Sequence, residues 1–376
     1  MTENEVLAWI RLQRVQGIGP VLGRKLAAHF GDVQKIFSQS QKQLVHIHGV
    51  GPKMAGNLLN SKYREEAEQE YLKAESRGIQ CLPLSGRAYP TLLKECADAP
   101  LVLFQKGPLE FSGNIALSVV GTRKMTSYGR RFCEHLLEEI KPFNPLIISG
   151  LAYGVDICIQ RMAIKMGFRT VSCMGHGLDM VYPGAHVKYI SEILKEGALL
   201  SEFWLGTTPQ PMNFVRRNRI IAGLSPATVV VESGLKGGSL ITADLAFDYN
   251  REVFAVPGRI SDAYSAGCNL LIDQQKAHLL QSVQQLAGTL NWVSSGYTPG
   301  QKTQKKIEAS APELNSEEAR IWKFLCENGV QILDDIAISC ELTVREAVVV
   351  LLGMEMKDII RPLPGKKFEL TPKFTN

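Results

Sequence analysis

The sequence lacks the features that attach a protein to a membrane or send it across one. Its 376 residues contain no apolar run close to the ~20 residues that a membrane-spanning helix needs. The first residues carry no basic start followed by an apolar stretch, so no signal peptide is expected. These absences predict a cytoplasmic protein with no membrane partner.

Metal-binding and disulfide patterns are missing as well. None of the 8 cysteines forms a C-x-x-C pair, and the 7 histidines form no H-E-x-x-H motif. Cysteines such as Cys173 lie in apolar segments, which is typical of buried, reduced thiols. The sequence therefore predicts no metal site.

The chain has the composition of a globular protein, with 45% hydrophobic and 21% charged residues. Its net charge of +5 permits a nucleic-acid partner without requiring one. The length suggests two or three domains. We predict a helical domain (1–80), an α/β domain (81–293), a polar linker (294–316) and a small C-terminal domain (317–376).

The α/β section alternates apolar runs with helical patterns. Strands that are apolar throughout and separated by helices indicate a parallel sheet covered on both faces. This pattern predicts a Rossmann-like, doubly wound sheet, whose ligands bind beyond the carboxyl ends of the strands. The predicted strands are IALSVV (115–120), PLIIS (145–149), RTVSCM (169–174), ALLSEF (198–203), ATVVVE (227–232) and EVFAVP (252–257).

Glycine-containing loops follow several of these strands. The first, Gly121-Thr122-Arg123, precedes a helix predicted to begin near Thr126. A helix N-terminus favours an anion, and Arg123 adds a two-pronged phosphate donor. The other loops contain Gly150, Gly154 and Asp156; Gly177 and Asp179; and Glu232, Lys236, Gly237, Gly238, Ser239 and Thr242.

No loop matches G-x-G-x-x-G with its distant acidic residue, or the phosphate loop that ends in G-K-[ST]. Each glycine alone could serve only a tight turn. Four such loops at one sheet edge, two of them with Arg or Lys, favour an anionic ligand.

A cluster of arginines lies between the fourth and fifth predicted strands. Arg216, Arg217 and Arg219 flank Asn218, with apolar residues behind them, and Arg216 and Arg219 would share one helix face. The planar guanidinium suits phosphate better than lysine does, although a solvated helix face is the alternative. Phe214 could stack on a base or pack in the core.

Taken in order along the chain, these motifs resemble the DNA-processing protein A (DprA/Smf) family. The similarity runs from residue 83 to about residue 285, and its most specific part is RRNRIIAGLS followed by GGSLITA. The other matching motifs are VVGTRKMTSYG (119–129), ISGLAYGVD (148–156), GLDMVYPG (177–184), LLSEF (199–203) and REVFAVPGRI (251–260).

The resemblance implies a homodimer that binds single-stranded DNA and loads a RecA-type recombinase onto it during natural transformation, without enzymatic activity or a cofactor. The predicted DNA contacts are Gly121, Thr122, Arg123, Lys124, Phe214, Arg216, Arg217, Asn218, Arg219, Lys236, Gly237, Gly238 and Ser239. The predicted supporting residues are Gly150, Gly154, Asp156, Asp179, Glu232 and Thr242.

Three positions depart from the family pattern. The Asp156 loop continues as Ile157-Cys158-Ile159-Gln160 instead of Ala-His, Val215 replaces a proline, and His186 stands where an asparagine is usual. These departures bear on single contacts and leave the predicted fold unchanged.

The N-terminal section contains two short glycine turns, Gly17-Ile18-Gly19 and Gly49-Val50-Gly51, each followed by proline and a helical pattern. They resemble a tandem, SAM-like helix-hairpin-helix, whose backbone N–H groups meet phosphate. Arg24, Lys25 and Lys53 lie where a phosphate could be met. A packing module without DNA contact is an equal alternative.

The C-terminal section resembles a winged helix, with helices over 317–328, 332–339 and 343–356 and a hairpin over 361–370. A winged helix can place its third helix in a DNA groove. Acidic residues disfavour that use here and favour a protein contact: Glu341, Glu346, Glu355 and Asp358.

Two other functions were considered. The first is an enzyme, because GGSLITADL distantly resembles a turn of nucleoside-monophosphate phosphoribohydrolases. In such an enzyme, Asp156 and Asp179 of this chain could act as general acid and base. The catalytic glutamate is missing, because Ala243-Asp244-Leu245 follows Thr242. A duplex-DNA regulator would use the winged helix and leave the central motifs unexplained. A dimer surface is expected around Leu270 to Leu280.

Overall fold

The computed structural model describes residues 1–111, 113, 115–292, 314–357, 359–363 and 365–371. The chain divides into two compact units, Met1–Pro299 and Gly300–Asn376. Most of the predicted linker and Asp358 lie outside the described residues. The predicted domain boundaries stay predictions.

The first unit begins with six helices. Thr2 and Glu5 form a capping box at the first of them, and prolines occupy the first positions of the second and fifth, where a missing N–H costs nothing. The helices are α1 (Glu3–Arg14), α2 (Pro20–Phe30), α3 (Val33–Ile36), α4 (Gln41–Val45), α5 (Pro52–Leu59) and α6 (Lys62–Glu75).

These helices share one apolar core with the sheet that follows. Ile10 and Leu12 of α1 are fully buried in the same cluster as Leu103. The Gln13 side chain donates to the Glu202 carbonyl at 2.9 Å and accepts from the Val102 N–H at 2.6 Å. The N-terminal helices therefore pack as part of the first unit.

A nine-stranded sheet forms the centre of this unit, in the order β1-β2-β6-β5-β4-β3-β7-β8-β9. The strands from β6 to β9 in that order run parallel. They are β1 (Ile79–Pro83), β2 (Val102–Lys106), β3 (Ala116–Val120), β4 (Leu146–Ser149), β5 (Thr170–Cys173), β6 (Ala198–Ser201), β7 (Ala227–Val230), β8 (Glu252–Ala255) and β9 (His278–Leu279).

The predicted doubly wound fold is confirmed, with β3 to β8 inside or overlapping the six predicted runs. Every residue of β3 is buried, as expected for a strand covered on both faces. The antiparallel edge pair β1 and β2 was missed. β1 begins at Ile79, inside the section that the sequence predicted to be helical, because its five residues give too short a pattern.

Helices cover both faces of the sheet, with Leu136 and Val155 in one apolar cluster and Ile220 and Ala243 in the other. They are α7 (Thr91–Glu95), α8 (Ser127–Ile140), α9 (Val155–Lys165), α10 (Ile190–Glu196), α11 (Pro211–Gly223), α12 (Gly238–Asp248), α13 (Ala266–Asp273) and α14 (Val283–Thr289). Two 3₁₀ turns span Lys141–Phe143 and Gly184–Tyr189.

The second unit is the predicted winged helix, which is confirmed. Its apolar core includes Ile321, Ile336 and Leu351, one from each helix. The helices are α15 (Ser316–Asn328), α16 (Leu333–Ser339) and α17 (Val344–Met356), and the small antiparallel sheet contains β10 (Gln331–Ile332), β11 (Ile360–Leu363) and β12 (Lys367–Leu370).

Among the residues with described structure, no helix is long and apolar enough to cross a membrane. All eight cysteines are free thiols, and six of them are buried, as their apolar surroundings predicted.

Candidate nucleic-acid interface

An open pocket of about 590 Å³ lies beyond the carboxyl ends of the parallel strands. It is lined by ten of the thirteen predicted DNA contacts: Gly121, Thr122, Arg123, Lys124, Phe214, Arg217, Asn218, Gly237, Gly238 and Ser239. The supporting residues Asp156 and Thr242 also line it. We call it the strand-edge pocket.

The loop after β3 holds its two cations in solvent. The Thr122 N–H donates to the Glu232 carbonyl at 2.7 Å, and the Thr122 carbonyl accepts from the Val155 N–H at 3.1 Å. Gly154 permits this approach: its φ is +79°, and a Cβ there would meet the Thr122 oxygen at 2.1 Å. Arg123 and Lys124 are exposed and form no ion pair with any described residue.

The N-terminus of α8 does not supply the free N–H groups that the sequence predicted. Thr126 caps this helix as expected, but its hydroxyl oxygen accepts from the N–H groups of Tyr128 and Gly129. Glu232 accepts from the Thr126 N–H at 2.9 Å and from its hydroxyl. Because these protein acceptors already satisfy the helix end, it is not an anion site.

The N-terminus of α12, unlike that of α8, is not capped by a side chain. Gly237, Gly238 and Ser239 line the pocket at its first turn. Uncapped N–H groups at the positive end of a helix dipole favour an anion. Lys236 is exposed just before this turn and does not line the pocket.

Phe214 provides an aromatic wall. Its ring lies 5.7 Å from that of Tyr182, and the Arg123 guanidinium carbon lies 5.8 Å from the Phe214 ring centre. The ring packs over Gly175, where a Cβ would meet it at 2.7 Å. A half-buried ring with a pocket-facing surface can combine both roles left open by the sequence, packing and stacking.

Arg217 was predicted as a DNA contact, but its side chain is only 4% exposed. It donates to the carbonyls of Gly150, at 2.6 Å, and Cys173. Burial raises the pKa of the nearby Asp156 carboxyl, while the Arg217 charge lowers it. Arg217 thus links the carboxyl ends of β4 and β5. Its charge lies at the wall of the pocket and is not exposed to solvent.

Arg216 and Arg219 share a helix face, as predicted, but both side chains are paired with the Glu202 carboxylate. Both donate to Glu202 Oε2, at 2.8 and 2.6 Å respectively. The Arg219 side chain is 9% exposed and also lies 3.9 Å from Asp98, whereas Arg216 is 52% exposed. Arg219 is a buried ion-pair residue, and neither residue lines the pocket.

Asp179, a predicted supporting residue, and Asn218, a predicted DNA contact, both hold loops in place. Asp179 accepts from the Gly206 N–H at 3.0 Å, and the Asn218 amide donates to the Gly238 carbonyl at 3.3 Å. A Cβ at Gly150 would overlap the Arg217 guanidinium at 2.3 Å.

The sequence missed several supporting residues. Gln160 accepts from the N–H of Leu151, which has a φ of +54°, and donates to the Val171 carbonyl at 3.0 Å. His186 bonds to the Leu151 carbonyl at 2.8 Å. Two of the departures from the family pattern, Gln160 and His186, thus stabilise one strained residue beside the pocket.

The cations of the N-terminal section differ in their availability. Arg24 donates to the carbonyls of Cys96 and Lys94, at 2.7 and 2.5 Å, and thereby docks α2 onto the chain around α7. Lys25 donates to the His48 carbonyl at 3.2 Å. Lys53 is exposed. Arg24 is thus engaged within the protein.

The exposed side of α17 in the second unit is apolar. Val348, Val349, Leu352 and Met356 are between 46% and 84% exposed. Because a DNA groove is polar and negatively charged, this surface suits a protein contact better than a duplex.

The fold and the pocket define a class: a Rossmann-like α/β protein with cations at the strand edge, preceded by helices and followed by a winged helix. A family model described as DNA recombination-mediator protein A matches residues 80–291. Models of a SAM-like helix-hairpin-helix tandem and of the DprA winged helix match residues 10–61 and 305–366.

Protein Smf of Escherichia coli is 30% identical, over 97% of this chain and 95% of its own. DNA processing protein DprA of Bacillus subtilis is 40% identical, over 56% of this chain and 74% of its own. The crystal structure of DprA from Streptococcus pneumoniae has a TM-score of 0.64 at 30% identity, over 77% of this chain and 98% of its own. The chain belongs to the DprA/Smf family of DNA processing proteins.

Proposed function

We propose that this protein binds single-stranded DNA in the strand-edge pocket. The carrying observation is the combination there of two exposed cations that pair with no described acid, Arg123 and Lys124, an uncapped helix N-terminus at Gly237 and an aromatic ring at Phe214. A positive groove with an aromatic stacking surface is the arrangement that holds single strands without sequence preference.

The proposal divides the predicted contacts into three groups: contacts to the strand, residues at the margin and buried supports. Gly121, Thr122, Arg123 and Lys124, together with Gly237, Gly238 and Ser239, would meet phosphate, and Phe214 would stack on a base. Asn218, Arg216 and Lys236 would act at the margin of the pocket. Arg217 and Arg219 would support the pocket through their buried bonds.

A relative supports this assignment: a solved structure titled for the single-stranded DNA binding mode of DNA processing protein A from Helicobacter pylori has a TM-score of 0.51 at 29% identity, over 57% of this chain and 95% of its own.

We further propose that the bound strand is handed to a RecA-type recombinase, by a cytoplasmic homodimer that acts through binding and not through catalysis. The family description as a recombination mediator supports this role. The region of Leu270 to Leu280 remains our proposed dimer surface. It contains β9, the last strand of the sheet, whose outer edge pairs with no described strand.

Fluorescence anisotropy with labelled oligo-dT at several salt concentrations tests the binding site. We expect affinity to fall with salt, because phosphate contacts release counterions, and a duplex of equal length to compete poorly. Arg123→Ala should weaken binding about tenfold or more, the loss of one charge-assisted contact. Arg345→Ala, an exposed arginine of the second unit, is the matched control.

Wild-type binding that Arg123→Ala leaves unchanged would contradict the pocket as the site. Absence of single-strand binding would contradict the proposed function, and hydrolysis of nucleoside monophosphates would become the next assay. Preferred, sequence-specific binding to duplex would favour a regulator instead.

Recombinase loading needs a separate assay. Recombinase ATPase activity on single strands precoated with single-strand-binding protein should rise when this protein is added, and Arg123→Ala should reduce the rise in proportion to its weaker binding. Stimulation that persists in a variant unable to bind DNA would contradict a hand-over of the strand.

A further inference from the structure

A second basic pocket adjoins the first. It has a volume of about 410 Å³ and shares Arg123 and Lys124 with the strand-edge pocket. Its remaining cations come from three different elements: Arg130 of α8, Arg161 of α9 and Lys188 of the 3₁₀ turn after the third loop. We call it the side pocket.

The side pocket has the electrostatics of an anion site. Its lining contains no Asp or Glu. None of Arg130, Arg161 and Lys188 forms an ion pair with a residue in the described parts of the chain. Cations drawn together from separate elements repel one another, so an anion bound between them would stabilise their closeness.

The same positive charges affect the pKa of Tyr189. Hydrogen bonds from Arg161 and then Lys188, together with their charges, lower the pKa of its phenol although the ring is accessible to solvent. The Lys188 ammonium also lies 5.2 Å from the Tyr189 ring centre. The ring is part of an aromatic row in which Tyr153 packs edge-on to His186 at 4.9 Å.

The two pockets are joined at the loop after β3. Gly154 lines the side pocket, and its missing side chain lets Thr122 and Arg123 lie against the start of α9. The exposed side chains of Arg123 and Lys124 therefore face both pockets. A flexible chain of phosphates bound in the strand-edge pocket could pass these two cations and continue into the side pocket.

We propose that the side pocket is a second subsite for the same single strand, in which Arg130, Arg161 and Lys188 bind the phosphates that leave the strand-edge pocket past Arg123. This inference rests on the proposed function, since it needs a strand in the first pocket. The half-buried ring of Tyr189 lines the pocket, and the exposed ring of Tyr153 lies beside it against His186, so both offer surfaces for the bases of the same segment.

The experiment compares oligo-dT of about 4 and about 15 nucleotides, both within the range that a single-strand-binding domain covers. Arg130→Ala/Arg161→Ala should weaken binding of the long strand and leave the short one unchanged. Each phosphate contact to a single strand contributes about 0.7 to the slope of log affinity against log salt. The slope for the long strand should therefore become shallower by about 1.4.

Arg131→Ala/Lys165→Ala is the matched control, because it removes one exposed cation from each of the same two helices outside both pockets. Arg130→Lys/Arg161→Lys keeps the charges and should retain most of the slope. Thermal melting of each variant checks that it folds.

An unchanged slope for the long strand in a folded double variant would overturn the side pocket while leaving the proposed function standing, provided that Phe214→Ala still weakens both lengths. Equal losses for the two lengths would also overturn it, because the cations would then belong to the first subsite. If the wild type bound neither strand, both proposals would fail.

Discussion

The strand-edge pocket is the surface predicted to bind DNA, and α17 is the helix that a winged helix can place in a DNA groove. The two surfaces differ in where their acidic side chains lie. At the pocket, Asp156 and Glu232 are buried, while Arg123 and Lys124 are exposed. On α17, Glu346 and Glu355 are exposed, as are Val348 and Val349 between them.

This difference shows that a DNA-associated fold does not decide by itself which face meets DNA. The field at a surface depends on which partner of each ion pair is turned outward. The pocket turns its acids inward, onto guanidinium and backbone groups, and leaves positive charge outside. The winged helix exposes apolar and acidic side chains, which suit a protein.

The largest expected effect is on stability, and it concerns the ion pairs of α11 beside the pocket. Arg219→Ala leaves Glu202 buried with only Arg216 beside it, and breaking such a pair costs about 3–5 kcal/mol of unfolding free energy. Arg216→Ala, at the exposed partner, should cost less than about 1 kcal/mol. Urea unfolding of both variants measures the difference, and equal losses would contradict the buried role of Arg219.

The next effect concerns affinity. Phe214→Ala should weaken binding of oligo-dT by about 1–3 kcal/mol, roughly 5- to 150-fold, which is the range for one base stacked on an aromatic ring. Phe247→Ala is the control, because this phenylalanine is 48% exposed and lies outside the pocket. Equal affinities for the two variants would assign Phe214 to packing alone.

A smaller effect is the pH dependence of stability, which should differ between the first and the second unit. Burial lowers the pKa of His176, whose Nε2 accepts from the Tyr182 N–H at 3.2 Å. Below the ordinary histidine pKa of about 6.5, the unfolded chain binds this proton more readily than the folded chain. Stability contributed by neutral His176 is therefore lost as the pH falls from 7 to 5.

Calorimetry of the wild type and His176→Gln at both pH values checks this effect. The melting temperature of the wild type should fall more steeply. The second unit contains no histidine, so its own transition should lack this dependence. Identical pH profiles for wild type and variant would remove His176 from the account.

The smallest effect is expected at α17. Val349→Lys adds a cation to the apolar face of the second unit, at a position that is 67% exposed. Because α17 takes no part in the proposed binding site and salt screens the attraction of a surface charge, the affinity for oligo-dT should change by no more than about twofold. A clear gain or loss, measured by anisotropy, would mean that DNA reaches α17.

Much of the fold was predictable, because the parallel strands are buried on both faces and read as unbroken apolar runs, such as that of β3. The pocket loops followed from glycines at the strand ends. The N-cap Thr126 was recognisable, but its bond to Glu232 joins residues 106 positions apart, and no local pattern reveals such a partner.

The same reason explains why the partners of the arginine cluster could not be predicted. Spacing showed that Arg216 and Arg219 share a helix face, whereas Glu202, which engages both, comes from the segment after another strand. The side pocket was missed because Arg130, Arg161 and Lys188 are isolated in the sequence and meet only in the fold.

Photocrosslinking tests the central claim most directly. A single strand carrying 4-thiothymidine would be irradiated with the full-length protein, and the crosslinked peptides would be identified by mass spectrometry. We predict crosslinks to the peptides that contain Phe214 and Tyr182, which line the strand-edge pocket. Crosslinks confined to α17, or to the glycine turns at Gly19 and Gly51, would contradict it.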